Sequence, residues 1–218
     1  MGDLTPRTLS DLVRDERSAF IDTLEQLDAE QWLARSLCTE WRVVDVAAHL
    51  AWAPVLGPVA GASAMLRHGF SMNRMIAASA VQWSRRGRVA ILDQLRRNRD
   101  TEATPIGMPL VSALSDAVVH GLDVRRPLGL TRPIPAEVLA PVADFSLRTP
   151  WPVNAVVGGS AKRRLRGVRL VASDVDWSYG DGAEVQAPAE AIALLLHGRS
   201  PRADELSGPG SALLLARL

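Results

Sequence analysis

Cysteine is almost missing from this 218-residue chain: Cys38 is the single one. No internal disulfide can form, and one thiol fits a reducing compartment. An excess of charge is missing as well. The chain has 25 basic and 24 acidic side chains, a formal net charge of +1, so its bulk charge gives no footprint for nucleic acid or an anionic membrane. Long apolar runs are lacking too. The longest stretch, Val43 to Leu66, is broken by Asp45, His49, Gly57, Pro58 and Gly61. A bilayer-spanning helix needs roughly 20 predominantly apolar residues without such interruptions. The opening segment, MGDLTPRTLSDLVRDERSAF, has no signal-peptide apolar core. These absences predict a cytoplasmic protein with neither nucleic acid nor membrane as partner. No internal repeat or low-complexity tract is evident.

What is present is an ordinary globular composition, 47% hydrophobic and 22% charged, on a chain long enough to bury a core. Tryptophan is over-used, with six against one Tyr and three Phe. The six, at positions 32, 41, 52, 83, 151 and 177, read as core and domain-seam packing because of the area each buries.

The first two-thirds reads as helices. Thr5 before Pro6 suits an N-cap with proline in the first turn. Leu9, Leu12, Val13, Phe20, Leu24 and Leu27 then form one apolar stripe. Asp28 to Gln31 resembles a capping box for a short turn. SLCTEW reads as a loop, and a helix begins near Val43, ended or kinked at Gly57-Pro58. Further helices are expected over 71–97, softly broken at Gly87, over 109–128, and over 136–147. After Pro150 the composition changes. VRLVAS reads as a strand, WSYGDGAEVQAP as a hairpin turning at Gly-Asp-Gly, and AEAIALLLHGR and the last dozen residues as helices. The expected architecture is mainly α, a helical bundle over 1–150 followed by a small α/β domain over 151–218.

Two histidines have notable surroundings. Asp116 and His120 are four apart on a predicted helix, so both can face one ion. His49 lies in the apolar VAAHLAWAPV, where an imidazole needs a partner. If two facing helices bring His49 to the Asp116/His120 pair, a bundle-core metal site results. Two histidines and a carboxylate leave zinc one open position, as in catalytic sites, and also suit non-haem iron. Spacing alone leaves the alternative that His49 is a satisfied core residue.

LCTEWRVVDVAAHL (Leu37 to Leu50) resembles the cysteine–tryptophan–aspartate–histidine signature of the mycothiol-dependent maleylpyruvate isomerase family. DAVVHGLDVRRPLG (Asp116 to Gly129) resembles its second signature. DWSYGDG and LLLHGRSPRADELSGPG resemble its small C-terminal domain. The resemblance implies a DinB-like four-helix bundle that carries a divalent metal, zinc first, and uses mycothiol or a similar low-molecular-weight thiol. It implies His49, Asp116 and His120 as metal ligands, with Asp116 where the family has a glutamate one methylene longer. It implies Arg199 as a catalytic arginine from the C-terminal domain, with Arg74 as a further candidate. The implied activity is that of an isomerase or S-transferase on a small, electrophilic, carboxylated substrate.

Several residues keep two readings. Asp45, four before His49, either orients that histidine from behind or is an acid favoured by the helix N-terminus. Asp123, three after His120, either orients it or pairs with Arg126. Arg199 either meets substrate or satisfies carbonyls at a helix end. Cys38 reads as a small packed residue. The Arg85-Arg86-Gly87-Arg88 and Lys162-Arg163-Arg164 runs read as solvated faces, or as contacts for an anionic substrate. Two other functions use the same residues: a non-catalytic ligand-binding or regulatory protein on this scaffold, and an iron-dependent oxygenase.

Overall fold

Helix signals in the sequence translate directly into element boundaries. The computed structural model describes residues 7–218. Helix α1 (Leu9–Glu25) is capped by Thr8, whose hydroxyl accepts from Asp11 N while Asp11 accepts from Thr8 N. The Thr5-Pro6 start lies outside the described residues. Helix α2 (Ala29–Leu33) carries the expected Asp28/Gln31 capping box, and the indole of its buried Trp32 donates to Leu24 O at 3.2 Å. Next come α3 (Val43–Trp52), α4 (Pro58–Arg67), α5 (Met72–Ser84), α6 (Gly87–Arg99) and α7 (Leu110–Arg125). A short 3-10 turn over Ala53–Val55, with prolines at 54 and 58, separates α3 from α4. Gly87 (φ +85°) separates α5 from α6.

Four of these helices close a ring: α1 packs on α6 and α7, and α3 packs on the same two. Helix α5 also packs on α3. In α3, Val43 through His49 and Ala51 are all buried. A helix apolar nearly all round belongs in the middle of a bundle, and its three alanines (Ala47, Ala48, Ala51) let neighbours approach closely. Helix α7 is buried over most of its length, with Asp116 a partly exposed exception. The core around them includes Phe20, Leu24, Trp32, Trp41, Ile91 and Leu95. The basic run beside Gly87 is partly packed: Arg86 stacks on Trp52 and Arg88 on Trp32.

The chain divides into two compact units after Leu130, earlier than the compositional break at Pro150. The reason is α8 (Ala136–Arg148). Its buried residues Val138, Leu139, Val142, Ala143 and Leu147 form a stripe, and it packs against α10 (Ala189–Leu196). Ser146 Oγ donates to Leu196 O at 2.6 Å. Pro150 therefore marks the end of a helix of the second unit. One-turn α9 (Ala161–Arg164) falls in the Lys162-Arg163-Arg164 run, where Arg164 donates to Leu195 O and Gly158 O at 2.9 and 2.5 Å.

The sheet of this unit departs from the expected hairpin. Its order is β2-β1-β3, with β1 (Val168–Ala172) in the middle. Strand β2 (Ser178–Tyr179) runs antiparallel to β1, and β3 (Ala183–Ala187) runs parallel to it on the other edge. Gly180-Asp181-Gly182 thus crosses past the start of β1 instead of turning β2 onto β3. Gly180 and Gly182 have φ of +87° and +129°, and a Cβ on them would meet Val168 O at 2.5 Å and Gly167 O at 2.3 Å. The glycines serve this close passage. The expected final helix shrinks to α11 (Ser211–Leu215). Among the described residues, no helix is long and apolar enough to cross a membrane.

Candidate metal centre

Helices α3 and α7 bring His49 and His120 together, with ring centroids 5.0 Å apart and planes at 75°. Trp41 covers both, 5.1 Å from His49 and 5.8 Å from His120. It comes from the loop before α3, which is closed by an Arg35–Arg42 bridge. Within the loop, Trp41 N donates to Cys38 O at 2.9 Å and Ser36 Oγ to Trp41 O at 2.8 Å. Leu37 N donates to Asp123 O at 3.0 Å, which stitches the loop to α7.

The two imidazoles have opposite environments. His49 is buried, and its Nδ1 has no hydrogen-bond partner. Burial pushes its pKa down, and the neighbouring charge of His120 adds to this, to about 3. His120 is buried too, which disfavours its charged form. The hydrogen bond to Asp123, with Cys38 adding to it, outweighs burial and raises His120 to about 10. Its Nδ1 lies 2.8 Å from Asp123 Oδ2, and Asp123 is fully buried. The same carboxylate oxygen accepts from the partly buried Cys38 thiol at 3.1 Å. In the metal-free protein at neutral pH the charge of the histidine pair thus resides on His120, and His49 offers a neutral ring.

The remaining sequence candidates lie around this pair or away from it. Asp116, one turn before His120, lines a small cavity with Arg17, Phe20, Leu50, Asn98 and Ala113. There the charge of Asp116 acts on the Arg17 guanidinium. Arg17 also donates to Asn98 O, Thr101 O and Ala103 O at 2.6–2.7 Å, pinning the α6–α7 connection. Asp45 turns to the start of its own helix: its Oδ2 accepts from Arg42 N at 3.0 Å and Arg42 Nε at 3.2 Å, and its hydrogen bonds do not reach His49. That is the helix-start reading of this acid. Arg74 on α5 borders an open groove of about 700 Å³ with Glu40, His68 and Arg85. Arg199, in the second unit, donates to His197 O at 2.8 Å just past the end of α10.

Cys38 is the residue that sequence reasoning set aside. The ligand atoms of Cys38, His120 and Asp123 lie within 4.8 Å of one another, and among the described residues this is the one such group of three. Its presence in the loop signature beside Trp41 was the available clue. The donor set as a whole fits a divalent ion: a neutral buried imidazole with an unsatisfied nitrogen, a second imidazole held by a carboxylate, and a thiol.

The family model of the mycothiol maleylpyruvate isomerase N-terminal domain matches residues 13–125, just over half of the 218-residue chain. The chain belongs to this family. The match takes in Cys38, Trp41, His49, Asp116, His120 and Asp123, so the whole site lies on the family domain. Two solved structures share the fold. One is a crystal structure of the mycothiol-dependent maleylpyruvate isomerase, with a TM-score of 0.54 and 18% identity over 93% of this chain and 92% of that one. The other is its histidine-to-alanine mutant, with a TM-score of 0.52 and 16% identity over the same shares. A comparison with curated proteins finds no match.

Proposed function

We propose that this member of the maleylpyruvate isomerase family is a metal-dependent enzyme that uses a mycothiol-type thiol to isomerise a small, electrophilic, carboxylated substrate of the maleylpyruvate kind. The observation that carries the reading is the buried His49–His120 pair, with an unpartnered Nδ1 on the first ring and the second ring fixed by Asp123. His49 and His120 would hold the ion, with Asp116 the third ligand in the family pattern. A zinc-like ion bound there supplies Lewis acidity that stabilises a thiolate at neutral pH. Asp123 fixes the orientation of the His120 ring. Trp41 covers both histidines and keeps water from that side. Arg199 and Arg74 are the candidate cations for the substrate carboxylate, where a guanidinium binds two oxygens at once.

The test is conversion of maleylpyruvate by the zinc-loaded protein, with and without mycothiol. Isomerisation that needs the thiol and regenerates it is expected, as is its loss in His49→Ala and His120→Ala. Net thiol consumption would move the reading to an S-transferase. Full turnover in His49→Ala, or turnover without thiol, overturns it. The Arg17 charge beside Asp116 in one small cavity favours one second reading, a scaffold that binds a small molecule there without turnover. Tight ligand binding by chelator-treated protein with no activity under any metal would select it.

A further inference from the structure

The His120 ring stands 2.8 Å from the carboxylate of Asp123, three residues after it, whereas the family spacing names Asp116, four before it. Asp116 shares the lining of a small cavity with Arg17, whose guanidinium feels its charge. Asp123, by contrast, is fully buried against α7's own histidine, with His120 Nδ1 at 2.8 Å and the Cys38 thiol at 3.1 Å from one carboxylate oxygen. A nitrogen, a sulfur and an oxygen thus converge on one point inside the bundle unit. Surface acids assemble by chance, but three different ligand types from two distant segments, with the Trp41 ring 5.8 Å from that of His120, are a more particular arrangement.

The geometry points to a metal site whose ligands are Cys38, His120 and Asp123, a sulfur–nitrogen–oxygen set that takes zinc or another borderline-soft divalent ion. This rests on the reading that the protein holds a metal, and it names different ligands for that metal. His120 is common to both sets, and Cys38 and Asp123 take the place of His49 and Asp116.

Distances support it. In tetrahedral zinc sites the metal lies about 2.3 Å from sulfur and about 2.0–2.2 Å from nitrogen and oxygen. Neighbouring ligand atoms then stand roughly 3.3–3.6 Å apart. The observed 2.8 and 3.1 Å separations are those of hydrogen bonds. Each must open by about half an ångström to admit the ion, which small side-chain rotations provide. On binding, the Cys38 S–H bond breaks and the His120 imidazolium gives up one N–H proton; both protons go to solvent, and sulfur–metal and nitrogen–metal bonds form in their place. The loop is already set for this. Cys38 N donates to Ser36 Oγ at 3.1 Å, and Leu37 N is tied to Asp123 O. On the border of the group stands His49, 92% buried by its 8% exposure, with its unsatisfied Nδ1 and its ring 5.0 Å from that of His120. A thiolate in the set selects against hard ions such as magnesium.

Cobalt reports the ligand atoms without any assay of turnover. Metal-free full-length protein titrated with Co²⁺ should show the visible bands of a tetrahedral ion and a near-ultraviolet thiolate-to-cobalt charge-transfer band. Cys38→Ala should abolish the charge-transfer band, and Asp116→Asn should leave it. Tetrahedral bands with no charge-transfer band overturn the Cys38 site and leave metal dependence standing. No cobalt uptake at all overturns both. Because Cys38 is the single cysteine, the wild-type protein offers a second measurement that needs no variant. Stoichiometric zinc should slow its alkylation by a thiol reagent about tenfold or more, since a metal-bound sulfur is no longer a free nucleophile. Equal rates with and without zinc overturn the assignment.

Discussion

Replacing Asp123 by Asn separates what the carboxylate contributes by its charge from what it contributes by its shape. Asp123 has no exposed surface, and its Oδ2 accepts from both His120 and Cys38. The amide keeps the size but loses the charge, and it brings two N–H donors into a buried position that needs acceptors. Hydrogen bonds to charged groups contribute about 1.5–3 kcal/mol each, and breaking a buried charge pair costs about 3–5 kcal/mol. We expect a loss of about 2–4 kcal/mol in the metal-free protein, because the amide still accepts one donor. The second expectation is a change in pH dependence. The folded pKa of His120, about 10, stands above its ordinary 6.5. A raised histidine contributes stability that is complete below pH 6.5 and is lost as pH climbs toward 10, at up to about 1.4 kcal/mol per pH unit. His49 acts in the opposite sense. Held at about 3, it costs stability as pH falls from 6.5 toward 3, so the pair places its best stability near neutrality. In Asp123→Asn the hydrogen bond that raises His120 is weakened and burial prevails, so the decline between pH 6.5 and 10 should flatten. Urea unfolding with chelator at pH 6, 7, 8 and 9 measures both effects. Parallel stability–pH curves for the two proteins, or a loss below about 0.5 kcal/mol at pH 7, would refute the account of this cluster.

Arg17→Met should lower the melting temperature by about 5–10 °C, because three carbonyls of the α6–α7 connection lose their donor. Differential scanning calorimetry checks it, and an unchanged transition would show that water replaces those bonds without cost. Gly158→Ala should destabilise the second unit by at least about 3 kcal/mol. The position has φ +102°, and a Cβ would meet the backbone His197 O at 1.9 Å. Limited proteolysis should show faster cleavage within 131–218, and equal protection would argue against the close approach. Asp28→Ala, which removes the cap of α2 and its bond to Gln31 N at 2.8 Å, should cost about 1 kcal/mol by denaturant unfolding. A loss below about 0.3 kcal/mol would mean that Trp32 packing alone holds α2.

The bundle was readable because its signals are local. The Leu12, Val13, Phe20, Leu24 stripe, the Asp28/Gln31 box and the Gly87 break each act within a turn or two of chain, and each sits where the periodicity places it. The sheet was less readable for the converse reason. Gly-Asp-Gly is a hairpin signal only if the flanking strands pair with each other. Here β1 occupies the place between them, and Val168↔Ala183 pairing spans a gap that no local pattern encodes. Likewise the α8 stripe is plain in the sequence, but its partner is α10, so the end of the first unit cannot be read from composition at Pro150.

The site divides along the same line. Asp116 precedes His120 by four residues and Asp123 follows it by three, so both share a helix face with it and helical spacing alone cannot choose between them. What distinguishes them is what each end of that face meets. Toward one end, Asp116 shares a small cavity with Arg17 of α1 and its charge acts on that guanidinium. Toward the other, Asp123 meets the Ser36–Trp41 loop through Leu37 N and the Cys38 thiol. Neither partner is near in sequence: Cys38 and Asp123 are 85 positions apart. Judging Cys38 by its sequence neighbours therefore makes it a packing residue, whereas the fold makes it the nearest sulfur to a buried histidine. A helix can present two carboxylates to one imidazole, and the chemistry then follows whichever of them the fold brings within reach of both the ring and a further ligand atom. The hydrogen bonds of His120 and of the Cys38 thiol to one carboxylate oxygen favour Asp123.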